Sequence, residues 1–451
     1  MSALRKELHY SERSGGRAAR LVGESMTRQD RWAVGHFAGC RLTGALQPIY
    51  CLSHKRPVGY EGLIRPTNAT GRSFSPGELF GKAGNPEQLI HLDRLCRAVH
   101  IHNFVTLGLE SGWLFLNLNP NLFWTFKRSR VAFTLDLMHH FGLDPSRVVL
   151  EILEKSIPDE ELMGELVDQY HAMGCLVAID DFGSGQANFD RIWRLRPDIV
   201  KLDRSIIANA LHNAHARRII PGLVSLLHQA GAMVLIEGIE TQDEAMIAWD
   251  AEADFVQGFL FGVPVTNLET IPALTGETVK KMTKSFRHHL VEEGQRQFGE
   301  IRRYLDILEA WVGRVASLDE LRLKGGEMVA VAGVKRCFIL NQWGIQVGPN
   351  ISGEKSPHFA HIAGGEGADW SRRTYYRRAV GRPGAIQVVG PYFSQPDAAM
   401  CITLSIALEI RGGGTWIFCA DVEWNGPADM VVGENRCFLR EYARPCNGMS
   451  A

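Results

Sequence analysis

From Leu46 onward the chain repeats one pattern: a short apolar run ending in a charged or amide residue, then a longer stretch of helical periodicity. The runs are LQPIY (46–50), VGYEGLIRP (58–66), WLFLNLNP (113–120), RVVLEILE (147–154), CLVAIDDFG (175–183), DIVKLDRS (198–205), MVLIEGIE (233–240) and DFVQGFLFG (254–262). Runs of this length and composition predict strands, and the spacing of Leu162, Leu166, Val167 and Tyr170 predicts a helix between two of them. Strands alternating with helices imply a mostly parallel α/β sheet, and eight strands close a (β/α)8, TIM-like barrel. The first two runs lie only about eight residues apart, too few for a helical crossover, so that pair is expected to be antiparallel.

A different regime follows Pro264. Residues 286–322 are charged and helical in pattern, with Phe298, Ile301, Tyr304, Leu305, Leu308 and Trp311 on one apolar stripe. The stripe fits either a surface helix packed on its own barrel or a connecting helix carrying a signal or a dimer contact. Beyond Gly325 strand-like runs dominate, at 328–334, 337–348, 385–393, 400–410 and 415–424. The Gly-, Arg- and aromatic-rich stretch between Ser352 and Gly384 reads as a long loop with short helices. These runs predict a smaller α+β domain with an antiparallel sheet. The expected division is a flexible polar leader (1–38), the barrel (39–268), a connecting helical region (269–325) and the C-terminal domain (326–451).

Composition narrows the function classes. With 451 residues, 45% hydrophobic and 22% charged, the chain suits two or three globular domains. A formal net charge of -1 supplies no field for a nucleic-acid polymer or an anionic membrane, so an anionic ligand needs local cations or metal ions. No apolar stretch approaches the roughly 18 residues of a membrane span. Nine cysteines without a paired framework read as reduced thiols, hence a cytoplasmic protein.

The chemistry lies in where polar residues interrupt the apolar runs. Glu61, Asn117, Glu151, Asp180, Asp181, Lys201, Glu237 and Gln257 each sit in or at the end of a successive run. In a barrel those strand ends converge on one mouth. Carboxylates gathered there repel one another unless cations share them. Hard oxygen donors, with no Cys or His among them, suit Mg²⁺ or Mn²⁺. Two such ions a few Å apart are the usual apparatus for phosphodiester hydrolysis. Singly, each residue has a plainer reading as a helix cap, salt bridge or surface charge. The coincidence along seven successive strands is what carries the argument.

These motifs resemble the EAL family of cyclic di-GMP phosphodiesterases over about residues 40–265. YEGLIRP resembles the name-giving segment, with Gly62 where alanine is usual, and LFLNLNP, LEILE, IDDFGSG, DIVKLD, IEGIE and VQGFLFG follow in the family's order. The resemblance implies that Glu61, Asn117, Glu151 and Asp180 bind one metal ion, and that Asp180, Asp181 and Glu237 bind a second. It gives Lys201 a contact to the nucleophilic water, Gln257 a supporting role in the water network, and Leu63 and Arg65 a place against the substrate. Glu154 and Glu240 lie three residues beyond proposed ligands and read as loop anchors. The implied reaction cleaves one phosphodiester of cyclic di-GMP to give linear pGpG, in a protein that forms a homodimer. After Gly185 the family's Tyr-Ser-Ser run is replaced by Gln186, Ala187 and Asn188. That departure bears on the positioning of Asp181, and it keeps open the alternative of a non-catalytic cyclic di-GMP receptor.

The segments 338–351 and 391–405 resemble a PAS-like or Cache-like sensor domain that follows the barrel in one group of these proteins, which implies regulation of the barrel. Trp343, Trp370, Tyr375 and Tyr376 either line a small-molecule pocket there or form its core. Cys401, Cys419, Cys437 and Cys446 lack metal-site spacing. Arg372, Arg373, Arg377 and Arg378 fit an anion site or a solvated face.

Overall fold

The computed structural model describes residues 20, 22–29, 31–108, 111–119, 129–154, 160–185, 188–266, 271–352, 365–394, 399–410 and 414–424. The chain divides into two compact units, Met1–Phe286 and Arg287–Ala451.

In the first unit, eight strands close a barrel: β3 (Cys40–Cys51), β4 (Arg56–Thr67), β5 (Trp113–Asn117), β6 (Val148–Leu153), β7 (Leu176–Phe182), β8 (Ile199–Leu202), β9 (Met233–Ile236) and β10 (Phe255–Val256). Pairing runs parallel from β4 through β10, while β3 is antiparallel to both β4 and β10 and closes the ring. The expected antiparallel first pair is present. All eight runs read from the sequence lie on these strands.

The helices between strands are α1 (Pro76–Phe80), α2 (Pro86–Thr106), α3 (Ser129–Phe141), α4 (Glu160–Ala172), α5 (Phe189–Leu195), α6 (Arg204–His212), α7 (Ala214–Gln229) and α8 (Gln242–Asp250). Several start where the sequence supplies a cap. Asn85, Asn188, Asp203 and Asn213 each accept a backbone N–H from the first turn, and Thr241 with Glu244 forms a capping box on α8.

The expected leader needs correction. Residues 1–19, 21 and 30 of it lie outside the described residues, but β1 (Met26–Gln29) pairs antiparallel with β2 (Trp32–Phe37) as a hairpin, and β2 pairs with β3. The hairpin is held by a buried side chain distant in sequence. Asn103 on α2 accepts the Ala33 N–H at 2.6 Å and donates to its carbonyl at 3.2 Å. Four-residue β1 is too short and polar for alternation to announce it.

The second unit contains α9 (Ile271–Glu309), which begins in the first, then α10 (Leu318–Val329), β11 (Val334–Leu340), β12 (Ile351–Ser352), α11 (Thr374–Gly381), β13 (Gln387–Ser394), β14 (Ala399–Ile410) and β15 (Gly414–Glu423). The sheet is antiparallel, in the order β12-β11-β15-β14-β13. Two expectations are revised. The stripe Ile301, Tyr304, Leu305, Leu308 and Trp311 packs into this unit's own core, with Trp311 edge-on to Phe418. The run 328–334, expected as a strand, closes α10 and turns at Gly333 (φ 92°). The Ser317 cap and the inward spacing of Leu321, Gly325 and Met328 outweigh its Val-rich composition.

Candidate functional site

A layer of apolar side chains fills the barrel interior: Ile49, Phe115, Val149, Ala178, Ile199, Leu235 and Phe255, with Cys51. Side chains alternate across a strand, so residues two further along point the same way. Two residues beyond six of these positions stand Asn117, Glu151, Asp180, Lys201, Glu237 and Gln257. On β4 the same step leads from Gly59 to Glu61, and a side chain at Gly59 would collide with the Phe115 ring (2.9 Å). Apolar plug and polar mouth are consecutive layers of one inward face.

Within the mouth Lys201 is buried among carboxylates, 2.5 Å from Glu151, 2.9 Å from Asp180 and 2.5 Å from Glu237. Glu61 accepts Asn117 Nδ2 at 3.0 Å and Gln257 Nε2 at 2.7 Å. Oxygen atoms of Asp180, Asp181 and Glu237 lie within 4.8 Å of one another, a spacing one cation can span. A bulge in β7 between Ile179 and Phe182 brings two successive aspartates to the site. Asp181 sits there at φ 57°, a left-handed conformation that Asp adopts more readily than most residues.

Electrostatics make this arrangement costly without further cations. Burial raises the Glu151 carboxyl well above the usual carboxylate range; Lys201 opposes the shift and Glu61 and Asp180 add to it. Burial likewise pushes Glu237 up to about 8, against the pull of Lys201. For Lys201, burial disfavours the ammonium, but Asp180, Glu151, Glu237 and Glu61 outweigh it and hold its pKa well above the ordinary value. Glu151 Oε2 and Gln257 Oε1 are buried with no hydrogen-bond partner among the described residues. Orphaned hard oxygens beside clustered carboxylates fit divalent cations of the Mg²⁺, Mn²⁺ or Ca²⁺ type.

The remaining sequence candidates separate. Leu63 and Arg65 follow Glu61 at two-residue steps on β4; Leu63 is half-buried and Arg65 exposed. Glu154 is buried and accepts the Gly183 N–H at 3.3 Å and the Asn188 N–H at 2.9 Å, while its carbonyl accepts Arg191 at 2.6 Å. Ser184 donates its hydroxyl to the Asp181 carbonyl at 2.8 Å. Glu240 is exposed, with Arg204 at 3.6 Å. Gln186 and Ala187 lie outside the described residues.

Gln47 was missed from sequence. It pairs in register with Glu61, is buried, accepts Gln257 Nε2 at 3.3 Å and donates to the Gly262 carbonyl at 3.2 Å. Its signal was the one that found the others, an amide inside an apolar run.

In the second unit Tyr375 is core, Trp370 donates to Gln346 (3.0 Å), Tyr376 donates to the Gln342 carbonyl (2.8 Å) and Trp343 is 67% exposed. Trp370 and Tyr376 pack against the core that contains Tyr375, and Trp343 stands apart from them on the surface. Arg372, Arg377 and Arg378 are exposed and Arg373 is half-buried. Cys401 and Cys419 are buried, while Cys437 and Cys446 lie outside the described residues. Among the described residues no helix is long and apolar enough to cross a membrane.

The chain is similar over most of its length to the crystal structure of Bacillus subtilis YkuI, a protein with an EAL domain, in complex with its substrate c-di-GMP and calcium. The likeness covers 85% of this chain and 96% of that one, with a TM-score of 0.71 at 21% identity, and is one of fold. Among curated relatives, the Escherichia coli (strain K12) cyclic di-GMP phosphodiesterase PdeL is 30% identical over 132 residues, 29% of this chain and 36% of PdeL. The Vibrio cholerae biofilm architecture maintenance protein MbaA is 28% identical over 254 residues, 55% of this chain and 31% of MbaA. The chain spans about a sixth to just over a third of the length of the curated relatives it matches. The EAL domain model matches residues 32–264, more than half of the chain, and the chain belongs to the EAL-domain family.

Proposed function

We propose that the barrel is a metal-dependent phosphodiesterase that hydrolyses cyclic di-GMP to linear pGpG with two Mg²⁺ or Mn²⁺ ions. The observation that carries this reading is the mouth itself: three carboxylates in contact with a buried lysine, Asp181 and Glu61 beside them, and Glu151 Oε2 and Gln257 Oε1 unpartnered among the described residues. Glu61, Asn117, Glu151 and Asp180 would hold one ion, and Asp180, Asp181 and Glu237 the other. Such ions, when bound, polarise the phosphodiester and lower the pKa of the attacking water.

The chain's own residues do the positioning. Lys201 presents its ammonium beside the same carboxylates, where it orients that water and offsets charge gathering on the phosphate. Gln47 and Gln257 fix the Glu61 carboxylate by a chain of amide hydrogen bonds. Arg65 stands at the rim of the mouth as an anion ligand for a substrate phosphate. The new bond joins the water oxygen to phosphorus, and the bond to the ribose 3′ oxygen breaks to leave a 3′ hydroxyl.

The altered residues after Gly185 favour a second reading, a receptor that binds the nucleotide without cleaving it. Both readings include a homodimer and a second unit that tunes the barrel through a small-molecule ligand. Turnover of cyclic di-GMP by the full chain with Mn²⁺ or Mg²⁺, abolished by chelator, supports the enzyme. Tight nucleotide binding without pGpG assigns the receptor role. Neither binding nor turnover overturns both.

A further inference from the structure

The strand that presents Glu61 has an unusual back. On the outer face of β4, Gly62 lacks a side chain, and diagonally across the pair on β3 so does Gly44, because Leu46 stands opposite Gly62 and Ile64 opposite Gly44. The imidazole of His100, from α2, fills the space left by Gly62 and shares the space left by Gly44 with Asn103 and Val99. A Cβ built on Gly62 would lie 2.7 Å from His100 Cγ and 3.0 Å from Nδ1, and one on Gly44 would lie 3.1 Å from Nδ1. His100 is 4% exposed, and its Nδ1 is buried with no hydrogen-bond partner among the described residues. Burial, with Arg65 adding, lowers its pKa to about 4, so a neutral ring is held there near pH 7.

A buried polar ring making no hydrogen bond at Nδ1 is a costly way to fill an apolar layer, and an aliphatic side chain would avoid that cost. What the ring supplies is a flat, rigid body pressed against backbone. The residues on either side of Gly62 are Glu61 and Leu63, which face the mouth, and Arg65 follows on the same face. The same helix anchors the N-terminal hairpin one turn later through Asn103. From this geometry we infer that His100 is a positioning residue for the mouth: its ring, seated in the slot left by Gly62 and Gly44, fixes the depth of the β4 backbone and thereby the reach of the Glu61 carboxylate toward a divalent cation. His100 touches no reacting atom in this scheme and acts through β4. The inference rests on the phosphodiesterase reading only for its effect on turnover; the effect on cation binding stands without it.

The test is a two-position cycle in the full chain, with Mn²⁺ alone as the probe. Mn²⁺ affinity is read by calorimetry, folding by circular dichroism with chelator present, and pGpG formation separately. Gly62→Ala drives a methyl group into the ring and should weaken Mn²⁺ binding about tenfold or more while the protein remains folded. Gly62→Ala combined with His100→Ala removes the collision and should return affinity to within about threefold of the parent, a rescue a loss of general stability does not produce. Should Gly62→Ala fail to fold, His100→Ala alone carries the test: opening the slot should weaken Mn²⁺ binding several-fold in a folded protein. Parental affinity in folded Gly62→Ala, absence of rescue in the folded double variant, or parental affinity in His100→Ala overturns the inference. A parent chain that binds Mn²⁺ but forms no pGpG instead defeats the phosphodiesterase reading and leaves this cycle intact.

Discussion

Replacing Lys201 by methionine tests whether the mouth is built for cations other than its own lysine. The substitution keeps an unbranched side chain one heavy atom shorter and removes its charge. Lys201 Nζ lies 2.5 Å from Glu151, 2.9 Å from Asp180 and 2.5 Å from Glu237, and the Glu151 side chain is fully buried. Removing one partner of a buried ion pair typically costs about 3–5 kcal/mol, because the other charge is left without compensation. At roughly 2–4 °C per kcal/mol for a unit of this size, K201M should melt about 6–20 °C below the parent in chelator. The penalty depends on pH with a definite sign. Burial holds Glu151 above the usual range and pushes Glu237 up to about 8, so these carboxyls answer the lost ammonium by taking protons. The deficit is therefore smaller at pH 6 and larger at pH 9, where protons are scarce.

Divalent cations should reverse the deficit. An ion at 100 times its dissociation constant stabilises the folded state by about 2.7 kcal/mol, and one that also neutralises the orphaned carboxylates does more in the variant than in the parent. The assay is a thermal melt with chelator and with saturating Mn²⁺, following the transition that Mn²⁺ shifts. K201M should show the lower melt in chelator, the larger rise with Mn²⁺, and pGpG formation at least about 100-fold slower. A chelator-treated variant melting within about 2 °C of the parent would refute the claim that Lys201 compensates these carboxylates in the metal-free protein.

Three further outcomes follow from the geometry. Glu154→Ala removes the acceptor of the Gly183 and Asn188 amides, so both should lose hydrogen-exchange protection and turnover should fall about 10–100-fold with the barrel folded. At the opposite end of the strands, Asp198 accepts His171 (2.9 Å) and the Val177 N–H (2.8 Å), and Asp254 accepts His228 (2.8 Å) and the Val234 N–H (2.7 Å). Removing either carboxylate as Asp198→Ala or Asp254→Ala should cost about 1–3 kcal/mol in a denaturant melt and leave pGpG formation per folded molecule unchanged. His100, lowered to about 4 in the folded state and near 6.5 when unfolded, binds more protons unfolded, so stability should fall as pH drops from about 6.5 toward 4. That loss reaches about 3 kcal/mol, and an unchanged acid slope in His100→Asn would show that another group causes it.

The barrel was legible because its strands carry their chemistry in phase. Each apolar run ends in a polar residue two positions beyond an interior one, so one alternation rule gives both core and mouth. Gln47 escaped because β3 runs antiparallel to its neighbours: its polar residue precedes its interior residue, Ile49, instead of following it. The β1–β2 hairpin escaped because its burial comes from an asparagine some seventy positions away, and no local pattern records that contact. His100 reads along the sequence as one more polar residue on a helix. Its significance comes from two glycines on β3 and β4. In the second unit the Val-rich run 328–334 has the composition of a strand, but a helix capped by Ser317, a residue eleven positions upstream, runs into it.

The residues after Gly185 are where resemblance and departure meet. Three observations act on the described part of that loop. Asp181 adopts a left-handed conformation inside a bulge, and its carbonyl accepts both the amide and the hydroxyl of Ser184. Glu154 holds the Gly183 and Asn188 amides, which places a clamp on each side of Gln186 and Ala187. Asn188 also caps α5 by accepting the Asp190 N–H at 3.0 Å. A tyrosine and serines are thus not needed to start α5 or to hold the backbone at Gly183, because Asn188 and Glu154 perform those tasks. The backbone tasks being met, the replaced side chains should bear on rate and not on the placement of the aspartate pair. If so, a chain with full cation affinity and slow turnover should gain rate when Tyr-Ser-Ser replaces residues 186–188, with little change in Mn²⁺ affinity. A gain in affinity instead would place the defect in the aspartate pair itself.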